Sequence, residues 1–449
     1  MTVQQSSLMQ EVNDIANSGS KPVHFFWECE IVANNETITP YKLLTRDLER
    51  LYDLNYMDEL NIDLAIGPGT FNSKIYPYKD DLLVHLFKRP LKEQGSDIDY
   101  SRPAQLYTFR GTLHDRGNES IEGNNALASN PDAADLAAII QISLQLFDPA
   151  VEQIRMQSVG GVFRQTTTGD LVRTLLGQLG KTLKIDRETA VRGVDMIAPS
   201  NQEVKAQIVI PHGTPVVDVP PLVQNKAGGI YSTGLGYYLQ EGIWYVWPLL
   251  DITRFHTTLR TLTLLNIPEN QMPGIERTYR QEADQVVAVV TGEVRFRDDS
   301  EQLQLTEGNG LRFTDARQVM GGMVKAEGNK ALLQRGKVTN EFVSEGRRTG
   351  LNKVQQVKPT ANMFAEMSKL ARRGGVHMQM LWENSDEELV YPGMPVTLLY
   401  WEDEQVKQLE GVVIRAHHHT KLNGRGMTGS RHINNTALTL FMGRPTPAA

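Results

Sequence analysis

The sequence predicts an α+β chain that is mainly β, in which two small antiparallel β-barrels flank an inserted α/β domain and an irregular arm. Three observations predict it. Period-two alternation dominates towards both ends, as in Leu60/Ile62/Leu64/Ile66 and Leu82/Val84/Leu86 at the first and in residues 394–400 and 437–442 at the second. In the middle, apolar residues recur at three and four, the helical period. The 449 residues are too many for one ordinary domain and enough for several, each burying its own core.

Residues 1–20 are polar and read as a mobile lead-in. Val23, Phe25, Trp27, Cys29 and Ile31 then alternate as a strand that stops at Asn34-Asn35, a turn signal. Ile38 and Tyr41 continue an extended chain, while residues 43–56 carry apolar side chains too irregularly to choose between strand and helical turn. The strands at Leu60 and Leu82 are separated by a turn-rich link, Gly67-Pro68-Gly69 through Tyr76-Pro77-Tyr78, and Asp80-Asp81 introduces the second of them. Residues 105–114 supply another strand. With almost no helix, residues 21–116 are predicted to close into the first barrel, which hides edges that would otherwise pair with other chains.

Residues 117–130, rich in Gly, Asn and Ser, read as a linker. Pro131-Asp132 then opens a predicted helix in which Leu136, Ile139, Ile140, Leu144, Phe147, Val151 and Ile154 keep the helical spacing to Met156. It bends near Asp148-Pro149 and stops at Gly160-Gly161. A second helix runs from Asp170, as N-cap, through Leu171, Leu175, Leu176 and Leu179 to Gly180. A strand at 207–210, a short helix started by Pro220-Pro221 and a hairpin turning at Gln240-Glu241-Gly242 complete an α/β domain over 131–265. Strands at 285–297 and 302–306, on either side of Asp298-Asp299-Ser300, join those at 376–382, 394–400, 408–417 and 437–442 in a second barrel made of 266–310 and 376–449. Residues 311–375 hold no sustained period and read as an extended arm or helical excursion.

Net charge is −7, which argues against a protein that grips nucleic acid by neutralising phosphates, and Arg347-Arg348 and Arg372-Arg373 are pairs of solvated surface residues. No run approaches the length needed to span a bilayer, and the first residues lack the basic-then-apolar layout of a secretory signal, so the chain is expected in a cytoplasm or to leave by a route that needs no signal. Cys29, the single cysteine, alternates with apolar residues and reads as a small buried hydrophobe.

His417-His418-His419, with His432 nearby, invites a metal reading. Along a strand, however, only His417 and His419 share a face, and the run lacks the helical spacing of zinc hydrolases. A surface patch is the reading, no metal site is assigned, and His417, His419 and His432 are the only candidates, for a structural ion or an inter-subunit clip. Gly67-Pro68-Gly69-Thr70 and Gly234-Leu235-Gly236 lack the residues of a phosphate-binding loop and read as turns. There is no Gly-x-Ser-x-Gly elbow and no Cys/His pair, and Asp80, Asp81, Asp298 and Asp299 belong to turns. No catalytic residue and no cofactor is predicted, and the chain is expected not to be an enzyme.

The stretch DELNIDLAIGPGTFNSKIYPYKDDLLVHLFKR resembles the first barrel of the hub proteins in the baseplates of contractile-tailed bacteriophages: a strand, a corner marked by Gly, Pro and Tyr, and a second strand behind an acidic turn. Ile210-Pro211-His212-Gly213-Thr214-Pro215 and the hairpin GIYSTGLGYYLQEGIWYVWPLLD resemble that family's inserted region. Tyr391-Pro392-Gly393-Met394-Pro395-Val396 and Leu409-Glu410-Gly411-Val412-Val413 resemble its second barrel, and residues 311–358 match nothing in it.

The resemblance implies a homotrimer in which each chain contributes two barrels of tail-tube type, so that three chains form a ring of pseudo-sixfold symmetry. Such a ring joins a threefold central spike to a sixfold tail tube and leaves a channel for DNA. It implies a place in the virion, in the tail baseplate, after assembly in the host cytoplasm. The implied partners are the spike, the tail tube or tube-initiator proteins, the tape measure protein and the baseplate wedge, with no sequence-specific nucleic acid and no membrane insertion. An acidic balance suits a channel through which DNA slides. The alternatives are a sixfold tube-initiator or adaptor, and a cell-envelope-degrading or metal-dependent enzyme of the tail tip with a polar cleft near His417, His419 and His432. A carbohydrate-binding module on Tyr231, Tyr237, Tyr238, Trp244, Tyr245 and Trp247 is a third, although packing within the hairpin and between subunits explains those aromatics more simply.

Overall fold

The computed structural model describes residues 3–18, 25–67, 69–92, 97–114, 139–182, 191–254, 260–269, 277–292, 322–327, 330–335, 338–339, 362–402, 405–423 and 431–443. The linker at 117–130, the strand at 302–306, the turn at Asp298-Asp299-Ser300 and much of the arm lie outside these residues.

The lead-in is a helix, α1 (Val3–Asn17), which corrects the expectation of a mobile segment. Leu8, Val12 and Ile15, spaced four and three apart, are buried against the sheet, and so short an apolar stripe in a polar stretch did not reveal a helix. Along β1 (Phe25–Ala33) the side chains of Trp27, Cys29, Ile31 and Ala33 face inward. Asn34 and Asn35, at φ 47° and 64°, then turn the chain into β2 (Glu36–Ile38). The segment left open between strand and helical turn contains a strand, β3 (Lys42–Leu51). Its register shifts between Leu43 and Thr45, and Arg46, Leu48 and Arg50 face inward, so charged residues interrupt the apolar alternation.

β4 (Glu59–Ile66) and β5 (Leu82–Pro90) are linked by helical turns at Phe71–Ile75 and Tyr76–Tyr78, and β6 (Gln105–Leu113) follows. Next comes a correction: of the helix predicted over 131–156, residues 131–138 lie outside the described residues, and the rest is a strand, β7 (Ile140–Phe147), followed by a short helix, α2 (Pro149–Arg155). Residues 140–147 (IQISLQLF) fit both periods. Pairing decides, because β7 fills the gap between β4 and β6 with Ile142, Leu144 and Leu146 inward. Asp148 caps α2, accepting the Ala150 N–H at 2.7 Å.

β8 (Ser158–Thr166) leads into α3 (Thr168–Thr182). Thr167, not Asp170, caps this helix: its hydroxyl accepts the Asp170 N–H at 3.0 Å and donates to the Asp170 carboxylate at 2.7 Å. β9 (Gly193–Met196), β10 (Lys205–Pro215), α4 (Val219–Lys226), β11 (Leu235–Gln240) and β12 (Ile243–Pro248) complete this region. β8 and β10 form a two-stranded ribbon, and β9 pairs parallel with β12. Glu241-Gly242, at φ 50° and 75°, turns the hairpin.

The remaining strands are β13 (Thr261–Asn266), β14 (Tyr279–Gln281), β15 (Gln285–Val290), the small sheet β16 (Gly322–Glu327), β17 (Lys330–Arg335) and β18 (Val338–Thr339), then β19 (Gly375–Trp382), β20 (Pro395–Glu402), β21 (Gln405–Asn423) and β22 (Arg431–Gly443). A helix, α5 (Met363–Ala371), precedes β19. No helix among the described residues is long and apolar enough to cross a membrane.

One large sheet organises the mainly β chain, in the order β14-β15-β13-β20-β21-β3-β4-β7-β6-β5-β1-β22-β19, and β21 also pairs with β22. The extra pairing creates two closed circuits. In the first, β21 leads through β3, β4, β7, β6, β5 and β1, and the pair Phe25 and His432 returns to β22. In the second, β21 leads through β20, β13 and β15, and the bridge between Thr291 and Leu381 carries it to β19 and β22. The two share the β21–β22 hairpin. Residues 405–412 of β21 pair with β20, residues 415–421 pair with β3, and the register against β22 shifts between Val413 and Arg415, where the partner changes.

The second circuit is mixed and not antiparallel throughout, a further correction: β13 lies parallel to both β15 and β20. Parallel neighbours need long connections, and residues 267–284 separate β13 from β15 while 267–394 separate it from β20. Separate clusters of buried side chains mark the two circuits, one around Ile31, Ile62 and Leu86 and one around Leu264, Met380 and Leu398. A third lies between the ribbon, α3, α4 and the hairpin.

Candidate functional site at the joint of the two circuits

The loop from β19 to β20 contains an acidic triple, Asp386-Glu387-Glu388. Asn384, at φ 47°, starts its turn. Asp386 accepts the Glu388 N–H at 3.2 Å and so caps the single helical turn Glu387–Leu389. Leu389 and Val390 anchor the loop in the second circuit's core, which leaves the three carboxylates to face the first circuit.

That circuit meets them with cations at inward positions. Arg46 forks onto the Glu387 carboxylate, with its Nη2 at 3.0 Å from Oε1 and its Nη1 bound to Oε2. Arg50 donates to the Glu387 carbonyl at 2.9 Å and lies 3.3 Å from Asp58. Lys88 reaches Glu388 at 2.8 Å and Asp386 at 3.3 Å, and the Tyr107 hydroxyl donates to Glu388 at 3.0 Å. Aromatic faces back the cations: Arg46 lies 4.5 Å from the Trp27 ring and Lys88 4.0 Å from that of Phe25. The inserted hairpin joins in, with Gln240 donating to the Val390 carbonyl at 3.1 Å and Tyr238 to Asp58 at 2.8 Å.

Burial alone would raise the Glu387 carboxyl, but Arg46, then Lys88 and others outweigh it and hold it at about 2. Burial would lower Lys88, and the carboxylates of Asp386, Glu387 and Glu388 reverse the direction. Each charge at this joint is engaged by another charge of the protein. The arrangement is suited to fixing three regions of the chain against one another.

The predicted candidates divide between two faces. His417 and His419 share the outer face, as strand geometry requires, and both approach Asp47 on β3, at 3.7 Å and 2.5 Å. His432 lies inside, with both ring nitrogens in use: Nδ1 accepts the Trp27 N–H at 3.1 Å and Nε2 donates to the Leu43 carbonyl at 3.0 Å. It therefore stitches β22 to β1 and β3 and cannot join His417 and His419 around one ion. Among the described residues no three His, Cys, Asp or Glu side chains are arranged to hold a metal.

The hairpin aromatics are mostly interior. Tyr231, Tyr238, Trp244 and Trp247 are buried, and Tyr237 stacks on Trp244 and Tyr56 with centroids 6.5 and 6.2 Å apart. Cys29 is buried, and burial pushes its thiol far above the usual range, so it is inert. A cleft of about 210 Å³ beside α2 is lined by Asp80, Arg110, Phe147, Glu152 and Arg155, but Arg110 is already bound by Asp81 and Glu152.

Sequence reasoning missed Arg46, Arg50, Lys88 and Glu387. One signal was present, the run Arg46-Leu48-Arg50, which places two arginines on the face of a core leucine.

No family model matches the chain, and no curated protein matches it. Solved structures similar to it include the tail protein from Neisseria meningitidis MC58, at 11% identity over 93% of this chain and 96% of that one, with a TM-score of 0.43. The 43 kDa tail protein of prophage MuSo2 from Shewanella oneidensis is similar at 9% identity, over 92% and 98% of the two chains, with a TM-score of 0.43. The E. coli c3393 protein, described as a component of the type VI secretion system with structural similarity to the T4 bacteriophage tail proteins gp27 and gp5, is similar at 7% identity, over 91% and 76%, with a TM-score of 0.39. Likenesses at this level are of loose layout.

Proposed function

We propose that this chain is a structural baseplate hub of a phage tail, a homotrimer without enzymatic activity that joins a central spike to the tail tube. The observation that carries the reading is the doubling: two closed circuits of strand pairings share one hairpin, each marked by its own cluster of buried side chains. If each circuit acts as one tube-like barrel, a chain places two such units side by side and three chains place six around an axis. A threefold spike and a sixfold tube can then meet on one ring with a channel for DNA at its centre. The charged joint supports this role, because a ring that transmits force needs its two units at a fixed mutual angle.

The partners in this reading are the spike, tail tube or tube-initiator proteins, the tape measure protein and the baseplate wedge. The setting is the virion, with assembly in the host cytoplasm.

The test is the mass of the purified chain in solution together with the rotational symmetry of averaged particle images. A mass of three chains and a threefold ring with six similar lobes is the expected result. A sixfold ring of six chains would mark a tube-initiator or adaptor instead, and a strict monomer absent from virions would end the tail reading.

A further inference from the structure

His418, the middle histidine of the triple, is used by none of the readings above. It lies on the inner face of β21, opposite Leu48 on β3 and Thr436 on β22, and it is fully buried. Its Nδ1 is 2.7 Å from the Thr436 hydroxyl, which is 2.6 Å from the hydroxyl of Ser385, and Ser385 belongs to the acidic loop. Ser385 can pass the chain on to the Asn434 carbonyl at 3.3 Å. This order assigns the proton to Nδ1 and leaves Nε2 as a bare lone pair, and that atom is buried with no hydrogen-bond partner among the described residues. The charges around the ring are Arg46 and Arg50 from β3, Glu387 from the loop and His417 from its own strand.

We infer that His418 is a proton-operated release for the joint: the closed loop excludes a proton from Nε2, and the loop lifted away from the first circuit admits it. In the closed form a proton on Nε2 would have no acceptor and would stand beside two arginines that share the Glu387 region. In the lifted form water accepts that N–H, and the Thr436–Ser385 contact that ties the ring to the loop is already broken. Asn384 at φ 47° and Gly393 at φ 68° flank the loop and provide the turns about which it can swing. Burial, then Arg50, depresses the ring's basicity in the closed form, in the same sense.

Linkage sets the size of the effect. The lifted form titrates near the ordinary histidine value of about 6.5 and the closed form far below it, so opening gains one proton, and its equilibrium constant rises roughly tenfold per pH unit below about 6.5. The inference rests on the joint alone, so its failure leaves the tail reading untouched.

The experiment is amide hydrogen exchange of the full chain between pH 8 and pH 5, corrected for intrinsic exchange rates, comparing loop amides at 385–390 with core amides at 60–66. The expected result is opening of the loop that steepens to about tenfold per pH unit below pH 6.5 with no matching change in the core amides. His418→Asn keeps a donor towards Thr436 and removes the titration, and is expected to flatten the slope. A flat wild-type profile overturns the inference even if the variant fails to fold. An unchanged slope in a folded His418→Asn chain also overturns it, as does a slope confined to Trp27, whose N–H reports on His432.

Discussion

At the scale of single residues, the Arg46–Glu387 pair decides how firmly the joint holds. Both side chains are nearly sealed, with 5% and 8% of their surface exposed, so neither charge can fall back on water if the other is removed. Glu387→Gln is expected to lower unfolding stability by about 3–5 kcal/mol, because it strands the Arg46 guanidinium. Replacing both partners, as in Arg46→Met with Glu387→Leu, is expected to recover most of that loss, since two apolar side chains carry no desolvation cost. Denaturant unfolding of the single and double variants checks both statements, and equal losses in all of them would mean that packing, not charge, holds the loop.

The outer face of the same strand behaves differently. Contact with His417, and then with His419, holds the Asp47 carboxyl at about 2, although burial opposes it, and the Asp47 contact raises His417 above the ordinary histidine value. A depressed carboxylate contributes stability that is lost as pH falls below about 4 towards 2. A raised histidine contributes stability that is full below about 6.5 and is lost as pH rises through its folded value. The clasp therefore stabilises most between about pH 4 and 6.5. Asp47→Asn is expected to weaken the pH dependence at both ends of that window in a thermal unfolding series, and an unchanged profile would show that the clasp contributes nothing.

At the scale of elements, what was legible depended on whether a local period had a rival. β1, β4, β5 and β20 were legible because one period ran unopposed through each. Residues 140–147 satisfy helix and strand alike, and only the free edges of β4 and β6, remote in the chain, select the strand. α1 was hidden because its few apolar residues are explained by the face it covers, formed by Leu265, Ile267, Val287 and Val289. The joint was hidden for a related reason. Glu387 and Arg46 stand 341 residues apart, and neither a turn rich in acids nor an arginine in a strand announces a partner. The alternation of faces along β21 was legible, and it placed His417 and His419 together outside. That His432 would be occupied by two backbone groups could not be read, because those groups belong to β1 and to the chain at Leu43.

At the scale of the whole molecule, the circuits are unequal along their length. The shared hairpin is joined through twelve residue pairs, and β1 and β5 through eight, whereas each circuit closes through a single pair. In the first, Phe25 meets His432, and the His432 ring stands in for a further rung by accepting the Trp27 N–H. In the second, Thr291 and Leu381 exchange two backbone bonds of 2.9 and 2.7 Å. A seam with so few bonds opens without disturbing the strands on either side, since local opening requires only the contacts that cross it to be broken. Amides of Thr291, Leu381 and Trp27 are therefore expected to exchange with solvent at least tenfold faster than the amides that bond across β21–β22, under conditions where the chain stays folded. Equal protection at seams and hairpin would mean that the circuits open only with global unfolding, and each would then have to be treated as a continuous wall. Slow exchange in the hairpin with fast exchange at both seams makes β21–β22 the stable spine of the molecule, along which the two units of one chain are held in register.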